Sequence, residues 1–159
     1  MLFVKFNPDI INFCEIQGCG ELKYLRDDTT SNYDSYLIQG TDTTTGQNVG
    51  MLTKVDPLTD LERSEEHYGY PFNGSTCGYD GTRSTGVSKH FVTTFQLKDL
   101  KVAYISLHFI AYPIQPDRCA KREAQAKIIQ EVIEKYVSQH YEIMVIGDYN
   151  DYDADLPDM

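Results

Sequence analysis

Four polar side chains sit where apolar runs of this chain stop: Glu15, His108, Asp148 and Asn150. Asp148 follows Gly147 directly after the apolar stretch 143–146, and Asn150 comes two residues later. A carboxylate held at the end of a strand can bind a hard cation, and a neighbouring amide can hydrogen-bond a phosphoryl oxygen. Glu15 closes the apolar stretch 10–14, which suits either a metal ligand or an ordinary surface residue at a strand exit. His108 lies near the end of another apolar stretch, 101–109, where a histidine is more often a satisfied core residue than a catalyst. If it does act, a protonated imidazole titrating near neutrality would donate to a phosphate oxygen or assist a leaving oxygen. Arg83, Lys89 and His90 are the cations best placed to meet a phosphate backbone.

The elements that must position these groups follow from periodicity. Residues 143–146 are short, rich in β-branched side chains and apolar on both faces, which predicts a strand buried on both sides. Its carboxyl end is where open α/β sheets bind ligands, so Asp148 and Asn150 should project there. Residues 10–14, 36–38 and 47–54 are further strand candidates, with 40–46 as a hairpin-like connection. Residues 87–97 and 101–109, separated by Lys98-Asp99-Leu100, predict an antiparallel hairpin. Residues 1–6 predict the last turns of a helix before Asn7-Pro8, and 21–25 a short helix. From Asp117, a natural N-cap, Ala124, Ile128, Ile129, Val132, Ile133, Tyr136 and Val137 recur at helical spacing to about residue 139. Arg118, Arg122 and Gln125 lie on its early turns, where a salt bridge or a loop anchor is their ordinary role. Residues 61–85 show no apolar period and predict a long loop, whose tyrosines either stack on a base or sugar or pack against the domain.

Taken together, four segments carry a family resemblance: Gly147-Asp148-Tyr149-Asn150, Ile11-Asn-Phe-Cys-Glu15-Ile, Gln47-Asn-Val-Gly-Met51-Leu and Ser106-Leu-His108-Phe. In type and order they resemble the signatures of the endonuclease/exonuclease/phosphatase superfamily along nearly the whole chain. The resemblance implies an α/β chain with the deoxyribonuclease I-like four-layer α/β/β/α sandwich and mixed sheets, residues 1–159 forming part of one such domain. It implies Glu15 as the ligand of Mg²⁺ (Mn²⁺ or Ca²⁺ being alternatives). Asp148 would orient water, Asn150 would bond the phosphate, and His108 would stabilise the phosphate or assist the leaving group. Asn48 becomes a candidate beside the site, with turn capping as its ordinary role. Two family features have no counterpart here: a first strand with its asparagine and a terminal Ser-Asp-His. The 159 residues are therefore expected to be a fragment that is barely active alone, since losing a general acid/base costs about 10² to 10⁴ in rate.

Composition narrows the classes. With 41% hydrophobic and 12% aromatic residues the chain is a folded domain, not a disordered one. No apolar run reaches the roughly 18 residues of a membrane span. The formal charge is -10, so net charge provides no long-range attraction to a polyanion. A metal-dependent phosphodiesterase needs less of it, because bound cations supply local positive charge and acidic residues hold them. Cys14, Cys19, Cys77 and Cys119 allow three full pairings, and a Cys77–Cys119 bridge suits an oxidising compartment, with free thiols as the alternative. The sequon at Asn73 leans the same way. Residues 151–155 alternate aspartates, yet Leu156 replaces the glycine an EF-hand loop requires, so a solvated acidic loop is expected. The expectation is a secreted, monomeric nuclease acting on DNA or RNA. A phospholipid or inositol phosphate is the alternative substrate, and a non-catalytic binding scaffold the alternative class.

Overall fold

The computed structural model describes residues 6–29 and 32–152, so residues 1–5 of the expected first helix and the acidic residues from 153 lie outside the described part. In chain order the elements are β1 (Ile10–Ile16), α1 (Cys19–Asp27), β2 (Asp34–Leu37), β3 (Asn48–Thr53), β4 (Tyr68–Tyr70), β5 (Arg83–Thr85), β6 (His90–Leu97), β7 (Leu100–His108), α2 (Pro116–Val137) and β8 (Glu142–Asp148). Strands β1, β3 and β2 form an antiparallel sheet in that spatial order. Strands β6, β7 and β8 form a mixed sheet, antiparallel at β6–β7 and parallel at β7–β8.

Side-chain alternation sorts these elements into four layers. Val49 and Met51 of β3 pack with Phe91 and Phe95 of β6 and Tyr104 of β7, filling the space between the two sheets. Each such side chain contributes about 1.5–3 kcal/mol on full burial, enough to decide which faces of the sheets meet. The odd-numbered residues of β7, Ala103, Ile105 and Leu107, point the other way, against Ile128, Ile129 and Tyr136 of α2. On the opposite flank Leu52 of β3 and Ile16 of β1 pack with Leu22 of α1. The order is therefore helix, sheet, sheet, helix, the α/β/β/α sandwich that the resemblance implied, with one of the two large sheets mixed.

Three local expectations are corrected. Residues 61–85 are not one structureless loop: β4 and β5 pair within them, and Glu62 bridges to Val92. Cys77 and Cys119 form a disulfide that fastens this segment to α2, and Tyr70 and Tyr79 pack against Ala120 and Ala124. The N-cap of α2 is Gln115, because Pro116 occupies the first helical position, while Asp117 lies in the first turn beside Arg118. Strand β8 is not buried on both faces. Ile143 and Val145 pack toward α2, but Met144 and Ile146 remain 44% and 39% exposed, because β8 is an edge strand with β7 as its only neighbour among the described residues.

Candidate functional site

The carboxyl ends of β7 and β8 lie side by side, and the parallel register pairs His108 with Asp148. Gly147 makes this pairing possible. Its φ is +145°, and a Cβ there would lie 1.8 Å from the Leu107 carbonyl oxygen, so no other residue fits without moving the backbone. Beyond the strand end, Asn150 turns back with φ +50°, its N–H donating to Asp148 Oδ1 at 2.8 Å. Its side-chain Nδ2 donates to the Phe109 carbonyl at 3.0 Å, leaving the other amide hydrogen for a ligand.

Glu15 reaches the same region by a different device. The β1–β3 register slips between Phe13 and Ile16, a β-bulge in which Glu15 takes φ +65°. A bulge re-aims a side chain, and here the exposed Glu15 comes to line a cleft of about 620 Å³ together with Asp42, Gln47, Lys89, His108 and Lys121. His108 itself is buried, and its Nδ1 has no hydrogen-bond partner. Burial pushes its pKa below the ordinary value and the Lys89 ammonium pushes the same way, against Asp148, Glu15 and Asp42. The expectation of a protonated imidazole is thereby corrected: desolvation favours the neutral ring. Burial raises the Cys14 thiol pKa; a hydrogen bond from the Asp148 backbone opposes that rise, while the Asp148 and Glu15 charges add to it. Two different groups thus sense one shared set of charges.

Lys89, a candidate for a phosphate backbone, lines this cleft, but its charge is largely spoken for. Its Nζ is 3.3 Å from Asp42 Oδ2 and 3.0 Å from Thr45 Oγ1. Burial opposes the Asp42 carboxylate, yet bonds from the Thr45 hydroxyl and the Thr44 N–H, with the Lys89 ammonium, outweigh it and hold its pKa at about 2. Asp42, Thr45 and Gln47 were missed from the sequence. Their Thr- and Asp-rich stretch reads there only as a turn, and only the tertiary fold lays that turn over the cleft.

Two other expected substrate contacts are corrected. His90 is 1% exposed and both ring nitrogens are engaged, one at 2.8 Å to the Val87 carbonyl and the other accepting from the Ser64 N–H at 2.9 Å. Burial lowers its pKa to about 4, so it is a neutral core residue. Asn48 is also buried, its Oδ1 accepting from Gly40 N–H at 2.6 Å and its Nδ2 donating to the Ile16, Gln17 and Gly46 carbonyls. It ties the hairpin turn to β1 and has nothing left for a substrate. Arg83 is exposed on β5 outside the cleft lining. Arg122 and Gln125 are anchors, Arg122 to Asp151 and the Pro113 carbonyl, Gln125 to Ile110 N–H and the Gly86 carbonyl.

The donor set can be weighed against Mg²⁺. Among the described residues no group of three or more His, Cys, Asp or Glu side chains could hold a metal ion. Mg²⁺ needs no such cage, since it keeps several waters and takes one or two protein carboxylates plus substrate oxygens. An exposed Glu15 aimed into a polar cleft fits that sparse coordination.

No family model matches the sequence, and no curated protein does. Solved structures do match. A functionally unknown conserved protein from Enterococcus faecalis is 16% identical with a TM-score of 0.61, over 94% of this chain and 55% of that one. The mannosyl-6-phosphatase Bt3783 of Bacteroides thetaiotaomicron is 18% identical with a TM-score of 0.59, over 94% of this chain and 54% of that one. TDP2 of D. rerio, solved with a single-strand DNA product, is 15% identical with a TM-score of 0.54, over 96% and 52%. The fold of this chain is the deoxyribonuclease I-like fold. The chain spans about half the length of the structures it matches.

Proposed function

We propose that this chain carries the cleft of a Mg²⁺-dependent phosphodiesterase that hydrolyses nucleic acid outside the cell. The observation that supports it most is that Glu15 and His108 line one cleft, with Asp148 in register beside His108 and Asn150 bonded to Asp148. Glu15 would hold Mg²⁺, which when bound neutralises charge building on the phosphoryl oxygens. Asp148, exposed at the strand end, orients the attacking water and accepts its proton as oxygen bonds to phosphorus. Asn150 donates its remaining amide hydrogen to a non-bridging oxygen, and neutral His108 donates a ring N–H to another. The ester P–O bond breaks, and the departing oxygen takes a proton from solvent.

A polyanionic substrate is favoured by the solved relative with a single-strand DNA product and by the unpaired cations beside the cleft described below. The Cys77–Cys119 disulfide supports an oxidising, extracellular setting. The test is hydrolysis of plasmid DNA, RNA, sphingomyelin and inositol phosphates, with Mg²⁺ and with chelator, by the 159-residue chain and by the full reading frame. Metal-dependent cleavage of DNA or RNA that falls sharply in Glu15→Gln is expected. Cleavage confined to sphingomyelin or inositol phosphates would move the substrate, and binding without any turnover would leave a scaffold.

A further inference from the structure

A second cavity of about 830 Å³ adjoins the cleft, and Thr41, Ser88 and Lys121 line both. Its walls carry two cations that make no ion pair among the described residues. Arg63 donates to the Gln39 carbonyl at 2.7 Å and to Thr41 Oγ1 at 3.4 Å, but its Nε is buried with no partner. Lys121, half-buried on the first turns of α2, has no hydrogen bond or ion pair among the described residues. Burial depresses the Lys121 pKa, and the nearby Arg118 and Arg83 guanidinium groups depress it further against Asp42 and Asp117. Arg63 is depressed by burial too, and Glu65, which also lines the cavity, partly compensates.

In a chain with ten excess negative charges, cations gathered and partly desolvated without a direct ion pair are costly, and a bound anion lowers that cost. Hydroxyls of Ser64, Ser84 and Ser88 on the same walls supply the donors that phosphate oxygens accept. The contrast with the cleft is informative, because there the cation Lys89 already has Asp42.

From this juxtaposition we propose that the second cavity is a phosphate subsite, holding a non-reacting phosphate of a substrate with two or more phosphates while another occupies the cleft, with Lys121 on the shared wall. The proposal rests on the phosphate-ester reading of the cleft and extends it from one phosphate to two. The shared chemistry is a second phosphate, which an oligonucleotide or an inositol polyphosphate could bring.

Binding without Mg²⁺ separates the two sites. Thymidine dinucleotide, with one internucleotide phosphate, and tetranucleotide, with three, are titrated by calorimetry against wild type, Lys121→Gln, Arg63→Gln, Arg63→Lys and Lys89→Gln. Lys121→Gln should weaken the tetranucleotide about tenfold and lower its salt slope by about one, with the dinucleotide unchanged. Arg63→Gln should do likewise, and Arg63→Lys, which keeps the charge, should restore most of the loss. Because Lys121 makes no internal hydrogen bond, its variant should fold, which circular dichroism checks. Unchanged tetranucleotide affinity in a folded Lys121→Gln would overturn the subsite. If the tetranucleotide still depends on Lys121 while Lys89→Gln changes neither ligand and no substrate is turned over, the subsite stands and the catalytic reading falls. Inositol bisphosphate run in parallel assigns the source: Lys121 dependence there alone points to an inositol phosphate, and in the oligonucleotide alone to nucleic acid.

Discussion

His108 and Asp148 face each other across the parallel β7–β8 pair, brought into register by a glycine that nearly touches the neighbouring backbone. Gly147→Ala would add a methyl group 1.8 Å from the Leu107 carbonyl oxygen and demand φ +145° of an alanine. Strain and overpacking each cost about 1–3 kcal/mol, so a loss of about 3 kcal/mol or more is expected. Urea denaturation measures it. A change under 1 kcal/mol would mean that the strand ends are not held this closely.

Asp148→Asn keeps the shape of an exposed side chain and the oxygen that accepts from Asn150 N–H. It removes the charge and the proton acceptor. Turnover should fall by about 10² to 10⁴ with the denaturation midpoint little changed. Full activity in the variant would reassign the water-orienting role to another residue.

Asn48→Ala separates a structural knot from a substrate contact. Four backbone groups lose their partner: Gly40 N–H and the carbonyls of Ile16, Gln17 and Gly46. Leaving a buried group unsatisfied costs about 1–3 kcal/mol, so a stability loss of at least that size is expected. A variant as stable as wild type but weaker in substrate binding would restore Asn48 to the site.

Stability should fall on mild acidification. His90 titrates near 6.5 when unfolded and at about 4 when folded, so between these values the unfolded chain binds more protons. Native stability therefore drops as pH falls from 6.5 toward 4, by about 3 kcal/mol from this group, and levels off below. His108, depressed by burial, adds in the same direction. Denaturant titrations at pH 7 and pH 4.5 should show the drop, and His90→Asn should flatten it. An unchanged slope in the variant would place the proton uptake elsewhere.

The Cys77–Cys119 bridge closes a separation of 42 residues and ties β4, β5 and their loop to α2. Loop-closure entropy for such a span stabilises the folded chain by about 4 kcal/mol in the chain-entropy picture. Cys77→Ser with Cys119→Ser should lower stability by about 2–4 kcal/mol and make the 61–85 segment the first site of limited proteolysis. Equal resistance with and without the bridge would show the tyrosine packing to be sufficient.

Much of this was legible along the chain because it is local. The apolar runs of β3 and β7 and the apolar stripe of α2 are local signals, and they give the elements before any contact is known. The Gly147-Asp148-Tyr149-Asn150 segment carries its own backbone logic, a glycine where a Cβ cannot fit and a polar pair just past the strand. Side-chain type alone, however, could not tell a free cation or amide from a spent one. His90 and Asn48 looked available until the fold surrounded them with carbonyls and N–H groups from distant segments. Nothing along the chain singled out Lys121, and only the fold places it on the wall shared by two cavities, without an ion pair among the described residues. The exposure of β8 was equally out of reach, since a run of apolar residues states only that burial is favourable, whereas whether a sheet face is covered depends on which strands lie opposite. What the sequence determined by itself was the set of elements and the chemical types at their ends. Which of those groups share a cleft, and which are used up in holding the chain together, was decided only by tertiary structure, because hydrogen-bond partners and desolvation come from residues far apart in the chain.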